Sequence, residues 1–124
     1  MRLALSIFLF AHGIAHLVGF LVPWRFVKTE DMPYKTTLLM GKIDIGDIGI
    51  RIIGIIWLLI ALAYFYAGWI TFQQTDYWIN YTLVVTIISL IFCIAAIPDS
   101  HIGIYINIAL IVLYYLNNHY SWLN

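Results

Sequence analysis

A chain of 124 residues is about one domain's worth, but 64% hydrophobic and 10% charged residues do not describe a soluble domain, where about 25% charge is usual. Six Lys and Arg against six Asp and Glu leave no net charge and no basic footprint for nucleic acid, and the apolar content excludes disorder. A single cysteine, Cys93, excludes an intramolecular disulfide framework and multi-cysteine metal clusters.

A membrane span takes about 20 predominantly apolar residues, and four such stretches follow one another. The first covers 3–22 and stops at Pro23. Its length, its two histidines and the lack of a small-x-small site lead us to expect a retained helix, not a cleaved leader. The connection over 23–43 holds Arg25, Lys28, Lys35 and Lys42. It reads as an amphipathic piece lying partly on the membrane surface, with an irregular loop folded over the bundle mouth as the alternative. The second span covers 44–70, the third 77–97 and the fourth 99–116. The expectation is one all-α domain over 1–124, a four-transmembrane-helix bundle crossing the inner or plasma membrane several times. Trp24, Trp69, Tyr77, Trp78, Tyr120 and Trp122 lie near span ends and fit interfacial anchors. The basic first connection is expected in the cytoplasm and both termini outside.

Within the first span His12 and His16 are four apart and share a face. Ionisable groups at that depth are costly facing lipid, so both should turn inward and find partners. The bland alternative is a neutral pair serving packing alone. Gly13 and Gly19, with Ala11 and Ala15, let another helix come close. Asp44, Asp47 and Arg51 recur at i, i+3 and i+7. Asp44 or Asp47 can cap the second helix, and Asp47 should neutralise Arg51, so that losing the aspartate would cost several kcal/mol. The Arg51 fork suits a buried carboxylate or an anionic ligand group, a snorkelling interfacial arginine being the alternative.

The third span carries Thr82, Thr86, Ser89 and Cys93 as one polar stripe, which reads as interhelical glue. In the fourth, Asp99 or Ser100 is a ready cap, His101 sits near the interface, and Asn107 lies deep enough to need protein partners. His119 reads as solvated tail. Measured from the expected cytoplasmic side, His16 is about 9 Å deep, Arg51 about 10 Å, Asn107 about 12 Å, Ser89 about 13 Å and His12 about 15 Å. Five polar groups from four helices are thus expected in one layer, with Asp44, Asp47, Asp99 and His101 at its mouth.

His12-Gly13-x-x-His16, the Val22-Pro23-Trp24-Arg25 exit and Asp44-x-Gly46-Asp47-x-Gly49-x-Arg51 resemble a group of small bacterial four-helix integral membrane proteins over about residues 8 to 60. That resemblance implies a fold and no activity. Length and helix count alone are also similar to DoxX-like membrane proteins. They are similar to small multidrug resistance transporters too, but those place a glutamate in the first span, where this chain has His12 and His16.

Three functions are compatible with these residues. The first is an intramembrane site that binds, or binds and acts on, a small lipophilic, quinone-like or isoprenoid-like molecule. There His12, His16 and Arg51 would do the chemistry, and Asp44, Asp47, Ser89, Asn107, His101 and Asp99 would bind ligand. The second is a structural or accessory membrane subunit whose polar layer only fixes packing. The third is a metal-binding protein or small transporter, with His12 and His16 chelating and Asp44, Asp47 or His101 completing the shell. No cofactor is legible. Beyond the lipid bilayer, the expected partner is a second copy of the chain, packed through Gly54, Ala61 and Ala63.

Overall fold

A computed structural model of the chain describes residues 2–26, 28, 33–96 and 101–120. The order is α1 (Arg2–Leu21), a hairpin of β1 (Thr37–Leu38) and β2 (Ile43–Asp44), α2 (Gly46–Gln73), α3 (Trp78–Ala95) and α4 (His101–Tyr120). The first three helices are long and apolar enough to cross a membrane, whereas the apolar stretch of the fourth is shorter, Ile102–Asn117. Ile14, Ile52, Leu59, Val84, Ile91 and Val112 are exposed on the outer faces, the surface that bilayer would cover.

Local chemistry accounts for the helix ends. Pro23 cannot extend α1, and Arg25 follows with a left-handed φ of 60°. At 28 residues α2 is about 42 Å long and outreaches a hydrocarbon core of about 30 Å, so it extends past the bilayer or tilts. It stops at Gln74, which takes the left-handed region at φ 58° and offers its N–H to the Ile70 and Thr71 carbonyls. Only 74–77 then separate α2 from α3, enforcing an antiparallel neighbour.

The 23–43 connection contains no amphipathic helix among its described residues. Thr37 faces Asp44 and Leu38 faces Ile43 in an antiparallel ladder, closed by a turn in which Leu39, Met40 and Gly41 all have positive φ. Three consecutive left-handed residues are incompatible with a helix. The Leu39 N–H reaches the Ala95 carbonyl at 2.8 Å, so the hairpin is tied to the end of α3 and folds over the bundle mouth.

The most extensive packing is between α1 and α2, then between α3 and α4. Close approach is enforced at Gly19, where a Cβ would stand 2.6 Å from the Trp57 ring, and at Gly68, where it would meet Phe10 at 2.9 Å. Beside Gly68, the Ser6 hydroxyl donates to the Gly68 carbonyl at 2.6 Å. Gly54 and Ala61, expected on a self-association face, are buried inside one chain, Gly54 beneath Trp24 and Pro23. Their small size serves the fold, because the tight pairing of α1 with α2 consumes it. The apolar core gathers Leu5, Leu9, Ile60, Ile70, Trp78, Val85, Leu110 and Tyr114 toward the end away from the hairpin.

Candidate functional site

His12 and His16 on α1, Ser89 on α3 and Asn107 on α4 are all buried and meet in one layer with Tyr64 of α2. Each helix turns its polar residue inward by the spacing of its apolar neighbours. On α1, Leu5, Leu9, His12, His16 and Gly19 form one buried stripe, and on α4 Asn107, Leu110, Tyr114 and Asn117 form another.

Hydrogen-bond direction follows from chemistry. His16 Nδ1 lies 2.8 Å from the His12 carbonyl oxygen, which can only accept, so Nδ1 bears the hydrogen. Its Nε2 then accepts from the Ser89 hydroxyl at 2.6 Å. Ser89 Oγ accepts from Asn107 Nδ2 at 2.9 Å, and the second Asn107 hydrogen points to Cys93 Sγ at 3.5 Å. Asn107 Oδ1 accepts from His12 Nε2 at 3.0 Å and from the Tyr64 hydroxyl at 3.1 Å. Asn107 thus uses both hydrogens and both lone pairs. The two histidines are opposite tautomers, Nε2–H for His12 and Nδ1–H for His16.

Aromatic rings enclose this chain. The two imidazoles sit edge to face with centroids 4.5 Å apart, and Tyr64 packs on them at 4.7 and 5.0 Å. Trp57 covers His16 at 5.2 Å. A cavity of about 40 Å³, lined by Pro23, Lys35, Leu38, Ile53 and Trp57 among others, opens at the hairpin end, and neither histidine lines it. Thr82 and Thr86 donate to the Trp78 and Thr82 carbonyls of their own helix, and Thr86 Oγ1 also lies 3.4 Å from the Tyr64 hydroxyl, so Thr86, Ser89 and Cys93 of the stripe reach the layer.

The ionic residues are elsewhere. Arg51 is exposed, not in the layer, and its guanidinium lies 5.5 Å from the Trp24 ring centroid. Asp47 does not pair with it. Asp47 is 3.6 Å from Arg25 and accepts a hydrogen bond from the Tyr34 hydroxyl. The reason is helical phase: Ile50, Gly54 and Trp57 set the buried stripe of α2, and position 51 falls outside it. Asp44 accepts from the Gly46 N–H at 3.0 Å and the Thr36 hydroxyl at 2.9 Å. These bonds hold its carboxyl below the usual carboxylate range.

Asp99 and the His101 side chain lie outside the described residues, as does Trp122. Among the described residues no three His, Cys, Asp or Glu side chains gather as a metal shell, and Asp44 and Asp47 do not join the histidine pair. His119 is exposed in the last turn of α4, with its ring 4.8 Å from Tyr115, and is helix where a tail was expected. Sequence reasoning missed Tyr64 and Trp57. Their signal was the seven-residue interval on α2 that continues through Thr71, all three buried.

The layer is neutral, interlocked and centred on an amide. An amide hands no proton from one neighbour to the next in the way a hydroxyl or imidazole does, so the Ser89–Asn107–His12 link is not a proton wire. Compared with known proteins, the chain matches no family model, and no curated protein and no solved structure is significantly similar to it.

Proposed function

We propose that this is a multi-pass membrane protein of structural or accessory role, whose His12, His16, Tyr64, Ser89 and Asn107 layer locks four spanning helices into one register. The observation that supports this reading is that every donor hydrogen of these five side chains ends on an acceptor of the same five residues or on Cys93, leaving none directed at a ligand. α4 serves as the fourth span: its 20 residues reach about 30 Å, and its Asn107, Tyr114 and Asn117 face inward. The hairpin and its basic residues face the cytoplasm of the inner or plasma membrane, with both termini opposite.

A lipophilic ligand between the histidines is the competing reading, and one experiment separates them. Native mass spectrometry of protein released from its own membranes should find no small molecule whose retention depends on the layer. His12→Gln and His16→Gln, which keep hydrogen-bonding ability and lose acid–base chemistry, should, like the parent, purify with no mass beyond that of their own polypeptide and remain folded. A bound molecule of defined mass that both variants lose would overturn the structural reading in favour of a ligand site.

A further inference from the structure

We infer that Arg51 and Trp24 form a binding site for the phosphate of a membrane phospholipid on the outside of the α1–α2 pair. Arg51 shares its face of α2 with Ile48, Ile52 and Ile55, which are 77%, 55% and 42% exposed, so that face meets lipid. It stands five residues inside the start of α2, about 7.5 Å along the axis, within reach of the headgroup level. No carboxylate answers its charge among the described residues: Asp47 is committed to Arg25 and Tyr34, and Asp44 to Gly46 and Thr36. A guanidinium beside lipid without a counter-ion is costly, and the anion a bilayer supplies at that depth is lipid phosphate.

The site is organised before any lipid arrives. The Trp24 indole N–H donates to the Arg51 carbonyl at 3.0 Å, and the indole edge rests on Gly54, where a Cβ would come within 3.0 Å. That fixes the ring, and the ring carries the guanidinium on its face. A planar fork so oriented can engage two phosphate oxygens at once, while Ile52 and Ile55 offer an apolar wall to the acyl chain below.

The test is native mass spectrometry of the full chain in detergent titrated with phosphatidylglycerol, comparing the parent with Arg51→Gln, Arg51→Lys and Asp47→Asn. One tightly held lipid is expected on the parent, about tenfold weaker binding on Arg51→Gln, and an intermediate loss on Arg51→Lys, because an ammonium meets phosphate as a point charge. Asp47→Asn should bind as the parent does. Millimolar inorganic phosphate should not displace the lipid, since a free anion lacks the apolar anchorage. Unchanged binding by Arg51→Gln, or by Arg51→Lys should the glutamine variant not fold, overturns the proposal. So does displacement by free phosphate, or co-purification of an acidic protein through Arg51 in place of lipid. None of these results bears on the histidine layer, which Arg51 does not touch.

Discussion

The buried layer and the hairpin mouth both concentrate polar side chains, but they divide them by charge. Inside are imidazole, amide, hydroxyl and phenol, each neutral and each bonded to another. At the mouth are Arg25, Asp47, Asp44, Lys42 and Arg51, all exposed. Desolvation explains the division. A neutral donor inside a membrane protein needs only one acceptor, whereas a buried ion costs several kcal/mol even when paired. The chain therefore keeps its deep layer free of ions and leaves them where water or headgroups can solvate them. The same residue type thus has different consequences in the two regions, and substitutions should expose that asymmetry.

The largest effect is expected at the centre of the layer. Asn107→Leu strands the His12 donor, leaves the Tyr64 hydroxyl only its longer contact to Thr86, and removes the donor to Ser89 in one step. It should lower stability by about 2 to 4 kcal/mol, from about 1 to 3 for each unsatisfied buried group, moderated because membrane-unfolded chains find partners of their own. Reversible unfolding in mixed micelles measures it, and a loss below that of a single surface substitution would break the comparison. Gly19→Val comes next. Its added carbons must displace the Trp57 ring that covers His16, and overpacking of this kind costs about 1 to 3 kcal/mol. The same unfolding assay should show it, together with a blue or red shift in tryptophan emission.

At the mouth the expected effects shrink. Asp47→Asn removes the partner of Arg25, but both side chains are more than half exposed, at 64% and 59%, so water and salt already screen the pair. Its melting midpoint should match the parent within experimental error, in contrast with the several kcal/mol expected had Asp47 neutralised a buried Arg51. The smallest effect is a local one with pH. The Asp44 carboxyl is held below its unfolded value of about 3.9, so its bonds to Gly46 and Thr36 contribute fully above that pH and fade as pH falls through the lower folded value. Amide exchange at Gly46 should be slow and pH-regular from neutrality to about pH 5 and accelerate only in stronger acid. Loss of protection near pH 6 would point to a different group.

Composition and span length alone determined the all-helical architecture, because apolar runs of membrane length interrupted by Pro23 and Pro98 leave few alternatives. Depth along each run also placed His12, His16, Ser89 and Asn107 in one layer, since a rise of about 1.5 Å per residue is nearly independent of context. Rotation about the helix axis was less legible. The run from Gly46 to Gln73 is apolar all round, so periodicity did not reveal that Tyr64 and Trp57 point inward while Arg51 points out. Only packing against Gly13 and Gly19 of α1 fixed that phase, and with it the partner of Asp47. The hairpin was likewise beyond local reading, because its strands are two residues long and gain their hold through the Leu39 to Ala95 bond, a contact 56 residues apart in the chain. Tertiary structure decided which nitrogen of each histidine bears hydrogen, since that choice rests on the acceptor opposite and not on the residue itself.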